Sequence, residues 1–171
     1  MTCVVAVVTG HKKVLMGADS LIRGGDDAWS SEPKVWRAGA GRFGIGYCGD
    51  FAWGELLRYR VRWPTTTTEL PKRLKDCIQN AAARTDFDLK SKKFSGDALV
   101  CHAGVIYTID NALNVLTDPT RDYAAIGTED IANGVLHATK AWNPKRRVLA
   151  ALKASAEHST TVRSPWVLLQ V

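Results

Sequence analysis

The sequence predicts an α+β protein: two antiparallel sheets stacked between two layers of helices, a four-layer αββα sandwich. Three observations carry this. Strand-like and helix-like segments follow one another as ββ, ββ, αα, several β, αα, β, so paired helices alternate with hairpins and each pair can cover one sheet. The 171 residues carry 46 % apolar and 23 % charged side chains, an ordinary globular balance with enough chain for one sizeable core. Internal repeats, low-complexity tracts and linkers are missing, so residues 1–171 read as a single domain.

The elements follow in order. "TCVVAVVT" (2–9) is a continuous β-branched run, the signature of a strand covered on both faces. "GHKK" reads as a hairpin turn, and "VLMGADS" (14–20) as the returning strand. A polar, Gly-rich stretch from Ser20 to Pro33 comes next. "KVWRA", the turn "GAG" and "RFGIGY" then form a second hairpin. Asp50 is placed to cap a helix that shows Trp53, Leu56, Leu57 and Val61 on one side. "WPTTTT" breaks it. Thr66 and Glu69 have capping-box spacing ahead of the stripe Leu70, Leu74, Ile78, Ala81. After a loop with Lys90, Lys92 and Lys93, strands return as "DALVCHA", "VIYTID", "NVLT" and "YAAIG". A third helix starts after Gly127, capped by Thr128, with Glu129 and Asp130 where the helix dipole favours acids. A fourth has Asn143 as cap and Pro144 at its first position. "PWVLLQV" closes the chain as a strand.

Several function classes drop out. No apolar run approaches the roughly 20 residues of a membrane helix, and "CVVAVV" lacks the cleavage site of a signal peptide, so a cytoplasmic protein without a membrane partner is expected. Cys3, Cys48, Cys77 and Cys101 show no metal-ligand spacing and sit among apolar neighbours, as reduced buried thiols do. The formal charge of +6 is spread over separate clusters without a nucleic-acid motif, which argues for solvated helix faces and against a nucleic-acid partner.

Four features can carry chemistry: Thr2, Asp19 in "GADS", Lys34 in "PKVW", and the glycines of "GIGYCGD". Each has an ordinary explanation as strand start, turn former, exposed strand residue or strand end. Together they suggest more. Removal of Met1 gives Thr2 a free α-amine beside its own hydroxyl. Such an amine titrates at about 7.7–8.0 and can act as a base near neutral pH. A threonine hydroxyl is a poor nucleophile without one. A nearby lysine would lower the pKa of both groups, a carboxylate would fix that lysine, and a glycine N–H could meet a tetrahedral oxyanion.

On Thr2 followed by "VVAVV", "GADS", "KVWR", "GIGYCGDFAW" and "YAAIGTED", the chain resembles the N-terminal nucleophile (Ntn) hydrolases of the proteasome β-subunit type, the HslV-like bacterial proteasome homologues, over nearly its whole length. The resemblance implies the Ntn hydrolase fold and a threonine-type peptidase acting inside a homo-oligomeric ring on peptides or unfolded protein, with no metal or organic cofactor. It leaves room for an ATP-dependent unfoldase partner. By position it makes Thr2 the nucleophile and base, Lys34 the tuning cation, Asp19 the group that orients Lys34, and Gly46 the oxyanion donor, with Gly44 and Gly49 close by. Thr128 stands where the family often has a serine, with Glu129 where a small residue is common, and Glu157 is the nearest match to a further acid near the end of the last helix. Thr128 and Glu157 read equally well as an ordinary cap and a solvated acid. Ile22, Trp36, Ile45 and Cys48 fall where the pocket beside Thr2 would be, and would favour an apolar side chain before the cut; they read equally well as core. Two other readings stay open: an inactive structural ring subunit, and a small-molecule Ntn amidase.

Overall fold

The structure, a computed structural model, describes residues 2–24, 27–30, 33–85 and 96–171, those at 22–24 and 27–30 by their backbone. The chain order is β1 (Cys3–Thr9), β2 (Lys13–Asp19), β3 (Leu21–Gly24), β4 (Asp27–Ser30), β5 (Val35–Ala38), β6 (Phe43–Gly49), α1 (Phe51–Glu55), α2 (Leu70–Ala82), β7 (Gly96–His102), β8 (Val105–Ile109), β9 (Val115–Leu116), β10 (Tyr123–Gly127), α3 (Glu129–Ala138), α4 (Pro144–His158) and β11 (Trp166–Gln170). A π-helical turn, Leu56–Arg60, continues α1.

Two antiparallel sheets form the centre. One has the order β10-β1-β2-β11, the other β5-β6-β7-β8-β9. Side chains alternate along each strand, and this alternation builds the layers. In β1, Cys3, Val5 and Val7 pack with Ala132 and Leu136 of α3 and Val148, Ala151 and Leu152 of α4. Val4 and Ala6 point the other way and meet Met16, Val35, Leu99 and Cys101 between the sheets. In β6, Phe43, Ile45 and Tyr47 face Trp53, Leu57, Leu74 and Ile78 of the α1–α2 layer. The strands buried on both faces are the ones whose sequences lack polar alternation. The four layers are therefore α1/α2, sheet, sheet, α3/α4, the predicted sandwich.

Some local readings are corrected. The polar segment 20–33 contains a short antiparallel ladder, with Leu21 opposite Ser30 and Gly24 opposite Asp27. The Thr66–Glu69 capping box does not form: Glu69 itself holds the N-cap position, with φ 52°, and its side chain makes no cap bond. Asp50 and Thr128 occupy N-cap positions without a side-chain cap bond. Asn143 does cap α4, its Oδ1 accepting from Lys145 N at 2.9 Å. Buried Arg147 ties the last two helices to β10 by donating to Leu136 O at 3.0 Å and to Asp122 Oδ2 at 2.6 Å.

Candidate active site

The site lies where the first residue of the β1 run meets the neighbouring sheet. Strand parity turns Thr2 to the same side as Val4 and Ala6, the face between the sheets. Lys34 immediately precedes β5 in the opposite sheet, so its side chain reaches Thr2 across the interlayer. Its Nζ donates to Thr2 Oγ1 at 2.9 Å and to Asp19 Oδ2 at 2.7 Å. Asp19 ends β2. The register sets Val4 opposite Ala18, so Asp19 comes beside Cys3 and accepts its N–H on Oδ1 at 2.9 Å. Leu21 N–H donates to Oδ2 at 3.2 Å. Thr2 is 8 % exposed, Lys34 3 % and Asp19 0 %.

Burying charge is costly unless it is paired and hydrogen-bonded. Asp19 has both forms of support. Burial pushes its carboxyl above the usual aspartate value of 3.8, while the Lys34 ammonium and the two amides pull it back. The ammonium, held 2.9 Å from a hydroxyl, favours the alkoxide over the neutral alcohol. The two nearby thiols are of the opposite kind. Burial raises Cys3, and raises Cys48 to about 12. Both are held protonated, and a thiol is not a nucleophile until it ionises.

The remaining candidate residues divide. Thr128 is brought close: Gly127, just before it, pairs with Cys3, and the buried Thr128 hydroxyl stands against the Cys3 thiol, whose pKa it helps to lower. Gly127 has φ +89°, and a Cβ there would lie 1.9 Å from Thr2 O, so the backbones meet only because the residue is glycine. Gly46 lies in β6 opposite Val35, and a Cβ on it would meet Val4 Cγ1 at 2.6 Å. Close packing of the sheets behind Thr2 thus already requires this glycine. Cys48 stands on the site side, its Cβ 3.4 Å from where a Gly127 side chain would begin.

Others are not gathered. Glu157 is exposed on α4 and makes no hydrogen bond or ion pair among the described residues. Trp36 and Ile45 face the α1–α2 core instead of Thr2; Trp36 packs edge-on against Tyr47 and lies under the Arg58 guanidinium at 4.3 Å. Period two explains this, because in β6 the residue between Ile45 and Tyr47 is the one facing the interlayer. The Ile22 side chain lies outside the described residues. Ser155 was missed by the sequence reading: buried on α4, it accepts from Cys3 Sγ at 3.3 Å and anchors the residue after Thr2. Its signal was a hydroxyl in the apolar stripe Val148, Ala151, Leu152.

A groove of about 440 Å3 near Val8, at the far end of β1, contains none of these residues. Among the described residues, no group of three His, Cys, Asp or Glu is placed to hold a metal ion, and no helix is long and apolar enough to cross a membrane.

The fold is the αββα sandwich of proteasome-like proteins, and a threonine, a lysine and an aspartate are joined at its β1 end. Solved structures with the same fold follow. HslV from Trypanosoma brucei superposes with a TM-score of 0.76 at 20 % identity, covering 99 % of this chain and 98 % of its own. BPH from Thiobacillus denitrificans, solved in complex with epoxomicin, gives 0.79 at 17 %, covering 99 % and 98 %. Anbu from Yersinia bercovieri gives 0.70 at 13 %, covering 99 % and 81 %. At these identities the likeness is one of fold. No protein-family model matches the chain, and no curated protein sequence matches it.

Proposed function

We propose that this chain is a threonine-type peptidase whose nucleophile is Thr2, in a mature form that begins at Thr2, working as a closed homo-oligomer. The observation that carries the reading is the Lys34 ammonium bonded at once to Thr2 Oγ1 and Asp19 Oδ2. The freed α-amine takes the hydroxyl proton as Oγ1 attacks the peptide carbonyl carbon. Gly46 is not the donor to the oxyanion that forms: it lies inside the ladder, and with Tyr47 N–H donating to Lys34 O its own N–H turns to Leu99 of β7. As the C–N bond breaks, the amine returns the proton to the leaving nitrogen, leaving an ester on Thr2. Water, deprotonated by the same amine, attacks the ester and regenerates the hydroxyl. Thr128 supplies a hydroxyl beside the amine, and no step calls for a metal or organic cofactor. The substrate class is peptide or unfolded protein, delivered with or without an ATP-dependent unfoldase, in a cytoplasmic setting.

The test combines fluorogenic peptide hydrolysis, intact mass and epoxomicin, the compound held by the Thiobacillus structure. The active species should have the mass of a chain starting at Thr2 and should gain one epoxomicin. Thr2→Ala should lose hydrolysis and labelling while keeping its fold. Full activity in a species that retains residues before Thr2 would end the free-amine mechanism. Turnover of small amides but not peptides would move the reading to an amidase.

A further inference from the structure

The positive charge of this chain is not evenly placed. Between Thr139 and Arg163 stand Lys140, Lys145, Arg146, Arg147, Lys153 and Arg163 against one acid, Glu157. Six basic residues against one acid leave a net of five on this segment, out of six for the whole chain. Arg147 is used internally, paired with Asp122. Lys140 and Arg163 lie beyond the two ends of α4, and its outward face keeps Lys145, Arg146 and Lys153.

That face is also concave. Trp142, Lys145, Arg146, Leu149, Ala150 and Lys153 line a groove of about 480 Å3. Lys145, Leu149 and Lys153 recur at every fourth position, so they form one row along the helix, which the exposed Glu157 continues beyond the groove. The Arg146 guanidinium lies over the Trp142 ring at 4.0 Å, and Trp142 remains 41 % exposed. No carboxylate lines the groove, and its three cations form no ion pair among the described residues. An apolar floor of Trp142, Leu149 and Ala150 with cations along it is complementary to an acidic segment carrying an apolar side chain.

We propose that the outer face of α4 docks an acidic, apolar-anchored segment of another protein. A second copy presenting the same face is disfavoured, because three cations would meet three cations. A nucleic acid is a poorer fit as well. Trp142 is the groove's one aromatic ring and one of its faces is taken by Arg146, while the Leu149–Ala150 floor has no counterpart in a phosphate backbone. The inference rests on charge and shape at α4 and not on hydrolysis at Thr2, so either can fail alone.

The test uses the full chain and a fluorescein-labelled peptide of repeated Glu-Glu-Leu, followed by anisotropy at about 50 mM salt, where surface charges are weakly screened. Binding at micromolar concentration is expected. Lys145→Glu/Lys153→Glu should weaken it at least ten-fold, and Trp142→Ala several-fold. Lys72→Glu/Lys75→Glu on α2, an equal change of charge elsewhere, should leave it within two-fold. Equal losses in both charge-reversed pairs would overturn the proposal as non-specific attraction. Tighter binding of a dT20 oligonucleotide through Lys145 and Lys153 would overturn it in favour of nucleic acid. A change of sedimentation mass in Lys145→Glu/Lys153→Glu would overturn it in favour of contact between copies.

Discussion

Lys34 and Asp19 are each tolerable in the interior only because of the other. Removing one partner of a buried pair leaves an uncompensated charge and costs about 3–5 kcal/mol. Lys34→Met and Asp19→Asn should therefore both lose activity, with Lys34→Met the less stable protein. The double variant should recover much of the stability and none of the activity. Thermal melts and peptide turnover of the three proteins check this, and an additive loss of stability in the double variant would show that the two residues are not coupled. The pair also sets a pH dependence. Burial raises the Asp19 carboxyl, so the folded protein binds this proton more tightly than the unfolded chain. This group's stabilising contribution is complete at low pH and is lost as pH rises through its folded pKa. Activity runs the other way, because only the ionised carboxylate holds the Lys34 ammonium. The acid limb of kcat/KM should thus carry two proton uptakes, one by the α-amine base, about 7.7–8.0 when unperturbed, and one by Asp19 at a pH above the usual aspartate value of 3.8. A rate profile flat down to pH 4 would contradict it.

At the scale of elements, two helix starts look alike in sequence and differ in space. Asn143 caps α4 through Lys145 N, whereas Thr128 starts α3 without capping it. Asn143→Ala should cost about 1 kcal/mol, the ordinary worth of a cap. Thr128→Val should cost no cap bond, so its loss of stability should be smaller than that of Asn143→Ala while turnover falls. Chemical denaturation of both variants, read beside kcat, decides whether Thr128 serves the helix or the site. The same contrast explains what was readable. Strands such as "CVVAVVT" and the stripes of α2 and α4 were legible because their periods are local. The β3–β4 ladder was not, since "LIRG" and "DAWS" lack apolar alternation. Trp36 and Ile45 could be read as pocket or as core for a related reason: an apolar residue beside a site residue belongs to one or the other according to strand parity, and they fell on the core side.

For the whole molecule, a peptidase with an accessible nucleophile endangers its neighbours, and enclosure by copies of itself removes that hazard. Closed symmetry is the usual arrangement of like subunits. Light scattering at micromolar concentration should give a mass several times the 18.7 kDa of one chain. A monomer that cleaves peptides would dismiss the enclosed arrangement. By itself the sequence determined the layer order, the helices and the strands other than β3 and β4, and Thr2, Asp19 and Lys34 as residues worth joining, because hydrophobic period and residue chemistry act over a few neighbours. Tertiary structure alone decided that these three touch. They lie on β1, β2 and the start of β5, and only the register of Val4 with Ala18 and the stacking of two sheets bring a lysine 32 residues away to within 2.9 Å of a threonine. It also decided that Ser155 belongs beside the site and Glu157 does not. Both are polar residues of one helix, and the turn of α4 points Ser155 inward and leaves Glu157 in solvent.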